Sequence, residues 1–130
     1  MEIIMPCAGL STRFPNLRPK YLLTDYSGKL MIENAAKHFI GKHNITIAIL
    51  KQHNEKFNAE NKLRDAFGDK VNIVVLDEPT SGPADTVYQT IMKAEYFFTS
   101  VSPMLIKDCD GFYDTDLIDG NAIYVSKLSK

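Results

Sequence analysis

Residues 2–20 read EIIMPCAGLSTRFPNLRPK. Ile3, Ile4 and Met5 are apolar on successive positions, and behind them come one glycine, two hydroxyls (Ser11 and Thr12), and Arg13, Arg18 and Lys20 without a single acid. A strand with one wet face alternates apolar and polar, whereas a continuous apolar run reads as a strand buried on both sides, as in a parallel sheet covered by helices. Three further runs have this character: ITIAILK (45–51), VNIVVLD (71–77) and MLIKD (104–108). The segments between them carry helical spacing. Ile32, Ala35, Phe39 and Ile40 share a face in 31–40, Phe57, Leu63 and Phe67 mark 53–67, and Val87, Ile91, Ala94 and Phe98 mark 84–98. Gly82-Pro83 suits a helix start, with proline at the first helical position and Asp85 near the positive end of the dipole.

Strand–helix alternation of this kind predicts an α/β fold, a three-layer αβα, Rossmann-like arrangement around a mainly parallel sheet. AIYV (122–125) begins another strand, and SKLSK follows without a closing helix. The expectation is therefore one incomplete domain over residues 1–130.

The 130 residues are 45% hydrophobic and 24% charged, which suits one globular domain. A net charge of −1 argues against nucleic-acid binding through a broad basic face, so basic residues act locally. The first ten residues place an acid where a signal peptide needs positive charge, and no run approaches the ~20 apolar residues of a membrane span. A cytoplasmic protein with no membrane partner is expected. Cys7 and Cys109 both fall at strand ends and are near neighbours on that reading, but in the cytosol both are expected as reduced thiols. His38, His43 and His53 are scattered and suggest no metal site.

In open α/β sheets, ligands bind at the carboxyl ends of the strands, where three unusual loops fall. In the first, Gly9 permits close backbone approach, Ser11 and Thr12 offer donors, and Arg13 and Lys20 supply charge. It matches neither the three-glycine dinucleotide fingerprint nor a P-loop, so its residues alone leave phosphate binding and a plain solvated loop both open. The second, DEPTSGPADT (77–86), reads on its own as a strand-to-helix turn with a capped helix. The third, KDCDGFYDTD (107–116), puts Asp108 and Asp110 at the end of a buried strand. Such carboxylates suit Mg²⁺ shared with substrate phosphates, or are simply solvated.

AGLSTRF with a following PK resembles the N-terminal signature of the sugar-1-phosphate nucleotidyltransferases (the NTP-transferase family), G-x-G-[ST]-R-[LF] then P-K, enzymes of capsule and surface-polysaccharide biosynthesis. Gly9, Thr12, Arg13, Phe14, Pro19 and Lys20 match; Ser11 replaces the second glycine. The resemblance implies a GT-A-like fold and nucleotidyl transfer from an NTP to a sugar-1-phosphate or other small phosphomonoester, with pyrophosphate released. It implies catalytic roles for Arg13 and Lys20, and nucleotide contacts at Ala8, Gly9, Ser11 and Thr12. Gly82, Ala84 and Asp85 fall where such enzymes place a turn against the base. Asp110, with Asp108 second, is implied as the ligand of Mg²⁺. CTP is preferred among the NTPs. The family is longer than this chain, so the acceptor-binding C-terminal part is expected to be absent.

Two other readings are weighed. LIKDCDG also resembles the D-x-D motif of haloacid dehalogenase-like phosphatases, with Asp108 as nucleophile and Asp110 as acid/base; Phe112 stands where threonine or valine is expected there. The other is a non-catalytic nucleotide-binding fragment.

Overall fold

The computed structural model describes residues 2–8, 19–94 and 104–107. Four strands, β1 (Glu2–Cys7), β2 (Asn44–Leu50), β3 (Val71–Leu76) and β4 (Met104–Ile106), form a parallel sheet in the order β3-β2-β1-β4. Each begins within a residue of its expected position. For β1 and β2 the reason is burial: Ile3 and Ile4, and every β2 residue from Ile45 to Leu50, are enclosed on both faces. The edge strand β4 departs from the expected burial on both sides, with Met104 and Ile106 exposed.

One face of the sheet is covered by α1 (Met31–Ala36), α2 (Lys51–Phe57) and α3 (Ala59–Phe67). Ile32, Ala35 and Phe39 from the first helical segment and Leu63 and Phe67 from α3 close over Ile3, Met5, Ile45, Ile47 and Ile49. The other face carries α4 (Pro83–Lys93), whose flanking Ala94 joins Ala8, Leu50, Val74 and Leu76 in a smaller apolar cluster. Helices on both faces of a parallel sheet give the expected three layers.

The single helix expected over 53–67 is two. Asn58 sits between them in the left-handed region (φ 56°, ψ 43°), a conformation asparagine tolerates better than other non-glycine residues. Its N–H donates to the Asn54 carbonyl at 2.9 Å, while the Asn54 side-chain oxygen accepts from Glu60 N–H at 2.9 Å. The break is therefore hydrogen-bonded on both sides. In α4 the buried stripe is Thr86, Val87, Thr90 and Ala94; Ile91 is only half-buried, and Phe98 lies outside the described residues. The run 122–125 also lies outside them.

The amino-terminal ends of the strands are tied by side-chain amides. Asn44 Nδ2 donates to the buried Glu2 carboxylate, and Asn72 Nδ2 donates to Asn44 Oδ1 at 3.0 Å. Cys7, at the opposite end of β1, is buried and disulfide-bonded, which corrects the expectation of a reduced thiol there. Among the described residues no helix is long and apolar enough to cross a membrane.

Candidate functional site at the carboxyl ends of the strands

The chain steps from β1 to β2 to β3 in one direction and then places β4 on the far side of β1. That reversal makes the β1/β4 boundary the topological switch point, where open α/β sheets form a crevice for ligands. Ile3 lies opposite Leu105 and Ile4 opposite Ile106, and Lys107 N–H donates to the Ile4 carbonyl at 2.9 Å. The basic segment leaves the end of β1, and the segment holding Asp108 and Asp110 leaves the end of β4. Two adjacent strands are thus followed, in the sequence, by segments of opposite charge.

Of the residues expected to act there, Ala8 is fully buried behind β1 against Leu50, Val74 and Leu76. Gly9, Ser11, Thr12 and Arg13 lie outside the described residues, as do Asp108 and Asp110. Lys20 opens a 3-10 turn, Lys20–Leu22, closed by Leu22 N–H donating to the Pro19 carbonyl at 2.9 Å. The chain after that turn is held by Asp25. Its carboxylate accepts from Ser27 N–H at 2.8 Å, Ser27 Oγ at 2.6 Å, Lys29 N–H at 3.1 Å and Asn34 Nδ2 at 3.0 Å. The Ser27 hydroxyl, then Asn34, hold that carboxyl well below the usual carboxylate range. Asp25 thus ties the 25–29 turn to α1 through Asn34.

The β3–α4 turn is fully described. Gly82 caps α4 with extended backbone (φ 164°, ψ −178°) that any residue adopts, and a Cβ placed on it meets nothing within 4 Å. Neither backbone strain nor crowding within the protein calls for glycine here. The turn is pinned from inside: Gly82 C=O accepts from Thr86 N–H at 2.9 Å and from Thr86 Oγ1 at 3.1 Å, and the Thr80 and Thr86 hydroxyls lie 2.6 Å apart. Asp85 accepts from Ser81 N–H at 2.9 Å, which lowers its pKa. One of its oxygens is thereby engaged in capping, while Ala84 beside it is exposed.

An open groove of about 520 Å³ runs beside this turn between Asp77, Glu78 and Thr80 on one side and Asp85, Gln89 and Lys93 of α4 on the other. Lys93 Nζ spans its end, donating to the Val75 carbonyl at 2.5 Å and lying 3.7 Å from Asp77. Among the described residues no three His, Cys, Asp or Glu side chains gather as a metal site.

Sequence reasoning passed over three features. Thr80 and Thr86 are two of them, and their spacing across Gly82 was the available signal. Lys107 is 5% exposed at the switch point; a lysine closing an apolar strand directly before an aspartate was the signal there.

No protein-family model and no curated protein matches the chain. Among solved structures it is similar to the nucleoside-diphosphate-sugar pyrophosphorylase of Vibrio cholerae RC9, with a TM-score of 0.71 and 20% identity over 91% of this chain and 50% of that one. The two share their fold, and this chain spans half the length of the other.

Proposed function

We propose that this chain forms the nucleotide-binding part of a nucleotidyltransferase that moves an NMP from an NTP to a sugar-1-phosphate or another small phosphomonoester. The observation that carries this is that β1 and β4 are neighbours at the switch point, while the sequence continues from β1 with a basic segment and from β4 with an acidic one. A magnesium–nucleoside triphosphate needs both kinds of group, cations for phosphate oxygens and carboxylates for the metal. The fold shared with a nucleoside-diphosphate-sugar pyrophosphorylase supports the same reading.

In this reaction an oxygen of the acceptor phosphate attacks the α-phosphorus, the bond from that phosphorus to the bridging oxygen breaks, and pyrophosphate leaves. A phosphomonoester has its second pKa near 6, so the nucleophile is already ionised at neutral pH and no general base is needed. Arg13 holds the β- and γ-phosphates and steadies the leaving group. Lys20 places a point charge between the reacting phosphates. Ala8, Gly9, Ser11 and Thr12 line the triphosphate, and Gly82, Ala84 and Asp85 flank the base. Asp110, with Asp108, holds Mg²⁺, which supplies charge neutralisation on the phosphates. Activation of surface-polysaccharide precursors, with CTP as the preferred donor, is the setting the sequence resemblance suggests.

The test is binding and turnover by the purified chain: Mg²⁺-dependent binding of CTP, UTP, dTTP and GTP, then pyrophosphate release with a panel of phosphorylated acceptors. Because the chain spans half of its structural match, detectable binding with little turnover is expected. Where turnover is measurable, Lys20→Ala lowers it a hundredfold or more, equivalent to about 3–4 kcal/mol in the barrier. Unchanged nucleotide binding in both Arg13→Ala and Lys20→Ala defeats the assignment. Hydrolysis of a generic phosphomonoester without NTP points instead to a phosphatase.

A further inference from the structure

Cys7 is buried where β1 ends, and it is disulfide-bonded. The chain contains one other cysteine, Cys109, three residues beyond Ile106. β1 and β4 are parallel with a constant offset, Glu2 opposite Met104, Ile3 opposite Leu105 and Ile4 opposite Ile106. A disulfide at Cys7 has one possible partner within the chain. β1, which Cys7 ends, lies beside β4, which Cys109 follows in sequence. Neighbouring strands lie about 4.8 Å apart, a spacing inside the roughly 4.4–6.8 Å that a disulfide spans between Cα atoms.

We propose that Cys7 and Cys109 form a reversible intramolecular disulfide, a redox-sensitive staple across the switch point. It ties the strand that precedes the basic segment to the segment that carries Asp108 and Asp110. It forms by exchange with a low-molecular-weight disulfide such as oxidised glutathione. One cysteine thiolate attacks that disulfide, making a mixed protein–glutathione bond and expelling one glutathione thiolate. The second cysteine thiolate attacks the protein sulfur of the mixed bond, closing Cys7–Cys109 and expelling the second. The two cysteine protons end on two molecules of reduced glutathione, and the two electrons have passed to the small disulfide. Among the described residues β4 pairs with β1 through three positions, a short ladder that the staple supplements. It also closes a long loop in the unfolded chain, so oxidation stabilises the fold.

The inference stands apart from the nucleotide reading, and its test uses no nucleotide. The purified chain is equilibrated with oxidised glutathione or with dithiothreitol, and examined by thiol counting, intact mass, linked-peptide mapping and thermal unfolding. The oxidised form is expected as a monomer with no free thiol, two hydrogens lighter than the reduced form, with a 7–109 linked peptide. Its Tm should be higher by at least about 5 °C. Cys7→Ser and Cys109→Ser should each keep one thiol, melt like the reduced wild-type chain, and show no linked peptide. Two thiols that stay free, separate glutathione caps on each cysteine, or a dimer joined through Cys7 would overturn the pairing. Equal Tm for the fully oxidised and fully reduced chain would overturn the staple.

Discussion

The two faces of the sheet are built differently. Beneath α1–α3, long aliphatic and aromatic side chains from both layers interlock, with Ile3, Met5, Ile45, Ile47 and Ile49 meeting Ile32, Phe39, Leu63 and Phe67. Beneath α4 the apolar cluster is small, Ala8, Leu50, Val74, Leu76 and Ala94, and the hydroxyls of Thr46, Thr86 and Thr90 are buried on the sheet and helix beside it. Burial of large side chains provides most of a domain's stability. Hydrogen bonds add less net energy but fix geometry, because leaving a buried donor or acceptor unmade is costly. One face therefore holds the domain together, and the other holds the Gly82 turn at a set angle to the strand ends.

The same deletion on each face is the sharpest way to break that comparison. Leu63→Ala on the α1–α3 face should cost about 3–5 kcal/mol, since the residue is fully enclosed. Leu76→Ala ends β3 beside the open groove, where neighbours can relax into the space. It should cost about 2 kcal/mol, the low end of the same range. Urea unfolding at neutral pH measures both, and equal losses would show that the faces share the load.

A smaller effect is expected from the hydroxyl network. Thr86→Val keeps the side-chain shape but removes the hydroxyl that meets Thr80 Oγ1 and Gly82 C=O. About 1–2 kcal/mol should be lost as those partners are left short of a hydrogen bond. Hydrogen exchange should quicken at the start of α4 but not in α3. Uniform quickening would mean that the network is not local to the turn.

These elements also mark what was legible in the sequence. The central strands β1 and β2 were, because positions buried on both faces take mostly apolar side chains in an unbroken run; the edge strand β4 gave the same signal although Met104 and Ile106 are exposed. The α2/α3 break was not: Asn58 carries the left-handed turn, and one asparagine among many polar residues in 53–67 gives no periodic signal. Thr86 and Thr90 gave no signal because a threonine in a helix can bury its hydroxyl on a carbonyl one turn back, as Thr90 Oγ1 does on Thr86 C=O at 2.6 Å. For the candidate site, the expectation that loops gather at the strand ends followed from the α/β pattern. The neighbour relation of β1 and β4 required the strand order, which no local pattern encodes. Asp85 was picked out by position, and the structure engages its carboxylate in capping, which does not bear on whether it also meets a nucleotide.

Among the described residues two buried polar atoms lack a hydrogen-bond partner, Tyr21 Oη and His53 Nδ1, and the second predicts a pH dependence. His53 in the first turn of α2 is buried, and its Nδ1 has no hydrogen-bond partner. Burial first, and Lys56 second, lower its pKa in the folded chain. The unfolded chain, with an ordinary value near 6.5, then binds more protons than the folded one below that pH. Stability is full above about pH 6.5 and falls as the pH drops through it. The urea midpoint should decline between pH 7 and 5.5, and His53→Phe should flatten that decline. His43, lowered by burial, contributes in the same direction. An unaltered slope in His53→Phe would place the titration elsewhere.

The smallest expected change in stability is also the most informative about the site. Gly82 has an extended backbone and open space where a Cβ would sit, and the turn is pinned by Thr80, Thr86 and Asp85 rather than by the cap residue itself. Gly82→Ala should therefore leave the urea midpoint within about 0.5 kcal/mol of the parent, with reduced freedom of the unfolded chain offsetting a poorer cap residue. If a base lies against this turn, the added methyl occupies the approach, and nucleotide affinity should fall tenfold or more while stability stays put. Calorimetric titration with Mg²⁺–CTP alongside the denaturation curve separates the two effects. A variant that binds as the parent does would remove the turn from the site, leaving the β1/β4 crevice to bind the triphosphate without it. A variant that unfolds early would show that the space around Gly82 is needed by the α4 face itself, and the division of labour between the two faces would fail at its most exposed point.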